Sequence, residues 1–66
     1  MKELINNFIS KYCTEVYDMP ISALELIMDN HKCIEWNEIE YFIPDTINGD
    51  EDEDLIHKFL TECYAI

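Results

Sequence analysis

Apolar residues fall in adjacent pairs every four positions near both ends of the chain. At the start they are Leu4 and Ile5, Phe8 and Ile9, Tyr12 and Cys13, Val16 and Tyr17; at the end they are Leu55 and Ile56, Phe59 and Leu60, Cys63 and Tyr64. This recurrence is the signature of a helix with one broad apolar stripe. In the first segment Asn6, Asn7, Ser10, Lys11, Thr14 and Glu15 lie between the pairs and supply a polar outer face. The spacing predicts helices over 2–17 and 51–65, with matching stripes suited to packing on each other. Asp18-Met19-Pro20 ends the first, because a proline pushes the residue before it out of the helical region.

Between them, Ser22-Ala23-Leu24-Glu25 matches a capping box and predicts a helix over 22–30, closing at Asp29-Asn30-His31. Residues 33–43, CIEWNEIEYFI, admit two readings. As a helix, Asn37 caps, Glu40 sits at the third position, Trp36, Ile39, Phe42 and Ile43 share a side, and Pro44 stops it. As a hairpin, Ile34 and Trp36 share one phase and Ile39, Tyr41 and Ile43 the other, with the turn at Asn37-Glu38. Tight hairpin turns favour glycine at a positive φ, so the short helix at 36–43 is preferred. The expected fold is a small all-α domain of three to four helices over 1–66, with an α+β arrangement as the alternative if the middle is a hairpin.

Sixty-six residues make one domain, and a chain this short buries only about 60% of its unfolded surface. Its core is marginal, yet 48% apolar residues and 12% aromatics are too many for a disordered acidic tail. Fifteen acids oppose four lysines and no arginine, a net charge of -11. The imbalance is uneven: residues 33–66 hold ten acids and one lysine. Direct nucleic-acid binding is disfavoured, because it requires cations to displace phosphate counterions.

Five consecutive carboxylates, Asp50, Glu51, Asp52, Glu53 and Asp54, precede the last helix. Acids in a first turn complement the helix dipole, but one or two suffice, and five repel one another. Successive residues rotate by about 100°, so one of Asp50 and Asp52 is expected to cap while the rest fan around the tip. A calcium loop fails on spacing, since aligning Gly49 with the loop's glycine puts Pro44 at its first ligand position.

Glu35, Glu38, Glu40 and Asp45 add to the charge of this half, and Trp36 and Tyr41 lie among them. Aromatic anchors within a charged rim suit binding to a basic protein surface. The candidate partner-binding residues are therefore Glu35, Glu38, Glu40, Asp45, Asp50, Glu51, Asp52, Glu53, Asp54, Trp36 and Tyr41. Carboxylates held on a small scaffold can occupy lysine and arginine tracks spaced for phosphates. This predicts a non-enzymatic inhibitor acting by nucleic-acid mimicry. In type it resembles the small acidic proteins that phages and mobile elements direct against host nucleases and polymerases. The alternative is a structural or regulatory module, or an antitoxin-like helical subunit, that binds through its apolar stripe.

No catalytic residues are expected. Acid–base work needs a desolvated carboxylate, and the pentad is too polar to bury together. His31, His57, Cys13, Cys33 and Cys63 lack zinc-ligand spacing, so they read as core cysteines and surface histidines, and no metal or cofactor is expected. Three cysteines cannot all pair within the chain, no signal-peptide run opens the sequence, and no stretch approaches the roughly 18 apolar residues of a membrane span. These features predict a reduced, cytoplasmic protein away from membranes. Aromatic surface left uncovered in so small a chain leaves room for a homodimer seam.

Overall fold

The computed structural model describes residues 2–18 and 31–66. Helix α1 spans Lys2–Tyr12, strand β1 Thr14–Glu15, a short 3-10 turn Val16–Asp18, strand β2 His31–Trp36, strand β3 Ile39–Pro44 and helix α2 Glu51–Cys63. The strands form an antiparallel sheet in the order β1-β3-β2. The architecture is α+β, and the all-α expectation is overturned by residues 31–44. The expected helix at 22–30 lies outside the described residues.

The middle segment is a hairpin in which His31 pairs with Pro44, Ile34 with Tyr41 and Trp36 with Ile39. Asn37 and Glu38 make the two-residue turn with φ of 52° and 65°, the left-handed region demanded by the tight turns that match strand twist. Holding a non-glycine residue there costs about 1–2 kcal/mol. That cost is offset by the burial the register achieves: Ile34, Trp36 and Ile43 lie on one face and are 0%, 8% and 0% exposed. A helix over the same residues would have left Ile34 and Tyr41 off its apolar side. Packing therefore outweighs turn preference here.

Both helices lie on that face. Ile5, Phe8 and Ile9 of α1 and Ile56 and Leu60 of α2 join Ile34, Trp36 and Ile43 in one buried cluster, with Tyr12, Cys13, Tyr41 and Ile47 packed at its margin. Phe42 points to the opposite face, beside its cross-strand partners Thr14 and Cys33, and is also buried. Among the described core residues only Trp36 carries a polar side-chain atom, and its indole Nε1 donates to Asn6 Oδ1 at 2.9 Å. Its ring meets Tyr64 edge-on, with centroids 5.2 Å apart.

The two stripe helices exist but are shorter than their periodicity suggests. Helix α1 stops at Tyr12 instead of 17, and Cys13 N–H donates the closing bond to Ile9 O. Thr14 and Glu15 then leave the helix to pair with Phe42 and Tyr41, so β3 gains a second neighbour and satisfies backbone groups that a longer helix would have satisfied internally. Helix α2 ends at Cys63, and Tyr64 N–H donates to Leu60 O. Residues 64–66 turn onto β2: Glu35 N–H donates to Tyr64 O and Ile66 N–H to Cys33 O, each at 3.0 Å.

On α2 only the second member of the pairs Leu55 and Ile56, Phe59 and Leu60 is covered, whereas on α1 only Leu4 of the stripe is left exposed. Leu4 and Leu55 are 56% and 66% exposed while their neighbours Ile5 and Ile56 are buried. The cysteines also divide: Cys63 is exposed, whereas Cys13 lies at the core margin and burial pushes its thiol up to about 12. His57, expected on the surface, is half-buried and braces α2 against β3, its Nε2 lying 2.7 Å from Pro44 O.

Replacing Glu38 with glycine removes a side chain from a left-handed position. We expect a gain of about 0.5–1 kcal/mol after the added unfolded-state entropy is deducted, read as a rise of a few degrees in Tm. A fall would show that the Glu38 side chain itself holds the turn. In thiol labelling near pH 8, Cys63 should react first and Cys13 last, and denaturant should abolish the difference.

Candidate functional site

Asp50 to Asp54 divide their work. Asp50 is the N-cap of α2, its backbone extended (ψ -178°) and its Oδ1 accepting the Glu53 N–H at 2.8 Å. One donor left open by the first turn is thereby satisfied. The chain reaches Asp50 through Gly49, where an added Cβ would lie 2.7 Å from Glu53 Cβ. Glycine is needed there for close approach, not for a special backbone angle.

Glu53 turns inward and receives Lys11 Nζ at 3.2 Å, which ties the start of α2 to the end of α1. Lys11 also stands 5.0 Å over the Tyr12 ring. Both groups feel the contact: a hydrogen bond with the Glu53 carboxylate pushes the Tyr12 hydroxyl up, and Tyr12 first and Glu53 second push Lys11 up. The pair sets the two helices antiparallel. Among the described residues it is the pentad's one ion pair.

Glu51, Asp52 and Asp54 remain exposed around the helix tip. They form a fan of carboxylates on a rigid element, since Asp50 and Glu53 fix the first turn beneath them. Their arrangement also adds to the favourable field at the positive end of the helix.

The remaining acids sit elsewhere. Glu35 and Glu40 are directly opposed across β2 and β3, on the sheet face away from the helices. Glu38 is in the turn, and Glu62 is in the last turn of α2. Because Tyr64 packs on Trp36 while Pro44 meets His57 halfway along α2, the hairpin turn lies at the helix's C-terminal end. The pentad and the hairpin acids are thus separated by about the helix length, roughly 20 Å. The acidic half of the sequence becomes two acidic poles.

The expected aromatic anchors, Trp36 and Tyr41, are largely covered in the described arrangement. Trp36 is in the core, and Tyr41 is half-buried at its margin, where burial and then Glu15 raise its hydroxyl. Among the described residues the exposed large hydrophobic side chains are Leu4, Tyr17, Leu55, Phe59, Tyr64 and Ile66. Leu55 and Phe59 stand one turn apart on the outside of α2 and follow Asp52 on the same side. Their exposure was hidden in the sequence, because both belong to apolar pairs whose second members are buried. Asp45 is exposed just beyond β3.

Among the described residues, no three histidine, cysteine, aspartate or glutamate side chains converge as they would around a metal ion. No helix among them is long and apolar enough to cross a membrane.

The division of the pentad has a direct test. Asp50→Ala should destabilise the fold by about 1 kcal/mol through loss of the cap, whereas Glu51→Gln, Asp52→Asn and Asp54→Asn should each stay within about 0.5 kcal/mol. Gly49→Ala should cost more than any of these three, because the new methyl must displace backbone-anchored Cβ of Glu53. Urea denaturation of the five variants measures all of these. Comparison with protein families, with curated proteins and with solved structures yields no match.

Proposed function

We propose that this chain is a non-enzymatic binding protein whose acidic surface occupies a basic, nucleic-acid-binding site on a partner protein. The observation that carries the reading is the fan of Glu51, Asp52 and Asp54, exposed on a first turn that Asp50 and Glu53 hold rigid. A plain helix tip needs a cap and a partner for the dipole; Asp50 alone supplies the cap. Three further carboxylates add repulsion to an already anionic chain, a cost that opposes folding and favours encounter with cations. The second pole, with Glu35, Glu38 and Glu40, offers a separate row of negative charge to an extended basic track.

A reduced cytoplasmic setting fits the three free thiols, Cys13, Cys33 and Cys63. Direct contact with nucleic acid remains disfavoured by the same charge that suits its mimicry. A second reading, a regulatory module bound through apolar side chains, draws on the exposure of Leu4 and Leu55.

The two readings separate in a pull-down from cell lysate washed at low and high salt and challenged with DNA or RNA. Under the mimicry reading, a nucleic-acid-binding protein is captured, released by salt and displaced by nucleic acid. The triple variant Glu51→Gln, Asp52→Asn, Asp54→Asn should lose about tenfold or more in capture, as three exposed charge contacts disappear, with its Tm unchanged or raised. Capture indifferent to salt, nucleic acid and the triple substitution would overturn that reading in favour of the apolar stripe.

A further inference from the structure

An apolar cleft lies between the antiparallel helices. It measures about 250 Å³; Leu4, Phe8 and Ile56 form its apolar walls, Asn7 lines it between them, and at its polar end Lys11 is paired with Glu53, which leaves Asp50 and Asp52 as the unpaired charges there. Leu55 and Phe59 continue the apolar surface along α2, at 66% and 40% exposure. Asp52 of the acidic fan adjoins this apolar surface, because Asp52, Leu55 and Phe59 share a side of the same helix.

We infer that the cleft between α1 and α2 seats a cationic amphipathic helix of the partner protein, with leucine-like side chains in the cleft and lysines or arginines on Asp50 and Asp52 at its polar end. This rests on the reading of the acidic fan as the place where a basic partner binds, and adds the shape that the partner must present.

Three considerations fix the occupant. The cleft runs between two antiparallel helices, so its ridges and grooves suit a third helix, and helix-in-groove recognition uses anchors at this spacing. It is too open and too small to enclose a drug-sized molecule, which needs about 300 Å³ or more. A second copy of this chain is the wrong sign: its own cleft is rimmed by the same carboxylates, and each copy brings a net charge of -11. Charge complementarity leaves a cationic helix.

The test uses the full chain and two 14-residue peptides of leucine and lysine only. One has its leucines at helical spacing, and the other has the same composition with leucines dispersed around the helix. Affinities are titrated at low and high salt, and amide shifts are followed by NMR. The patterned peptide should bind about tenfold tighter or more than the dispersed one, the equivalent of burying one leucine side chain, with shifts at Leu4, Phe8, Leu55, Ile56 and Phe59. The double variant Leu4→Ser, Leu55→Ser, at exposed positions, should bring the two peptides close to parity, while Asp52→Asn weakens both. Equal binding of the two peptides, with shifts confined to residues 51–54, would overturn the cleft and leave the acidic-surface reading standing. Binding of neither peptide at low salt would overturn both. Self-association of the chain with shifts at Leu4, Leu55 and Phe59 would assign the cleft to a second copy and overturn the inference.

Discussion

The register of the β2–β3 hairpin is the constraint on which the rest depends. It puts Ile34, Trp36 and Ile43 on the face that receives both helices. A slip of one residue in β2 would present Cys33 and Glu35 there instead. Nearly every buried contact of α1 and α2 would then be lost. Two left-handed residues at the turn fix this register, and the indole bond to Asn6 ties it to the first helix. The small size of the domain sharpens the dependence, because no second core exists among the described residues to compensate.

Charge is organised around that core without entering it. No charged or polar side chain among the described residues is buried. The Lys11–Glu53 pair lies at the surface and contributes by orienting the helices more than by its energy, since exposed pairs are worth about 0–1 kcal/mol. Among the described residues, most of the acids of residues 33–66 gather at the two ends of α2. The fold thus keeps its anionic charge apart from its hydrophobic contacts along most of its surface, and brings the two together beside the α1–α2 cleft.

The helices were legible because their signals are local. The start of α2 at Glu51, a cap at Asp50 or Asp52, and the apolar pairs that contain Ile5, Phe8, Ile9, Ile56 and Leu60 follow from spacing within a few residues, though which member of each pair is buried does not. The hairpin is the weaker of the two readings of the sequence because Asn37-Glu38 is a poor turn locally, and its adoption is decided by Ile34 and Ile43 joining Leu60 and Ile5, far away in sequence, in one core. The early end of α1 has the same origin, since Thr14 answers to Phe42. In the candidate surface, five acids in a row were visible, but the pairing of Glu53 with Lys11 spans 42 residues. Trp36 read as a contact residue because sequence does not reveal an Asn6 carbonyl waiting for its N–H.

The short return of residues 64–66 along β2 bears on how the sheet behaves in a crowded solution. A bare strand edge offers a row of unpaired amides and carbonyls on which another chain can assemble. Here Tyr64 O and Ile66 N–H occupy groups of Glu35 and Cys33, and Ala65 bridges to Ile34. On the far side, β1 is only two residues long, too short to template an incoming strand. Filament growth by strand addition is therefore discouraged at both margins, by a covering segment at one and by brevity at the other, and a protein with exposed Leu55 and Phe59 keeps its sticky surface for partners that do not need a free edge.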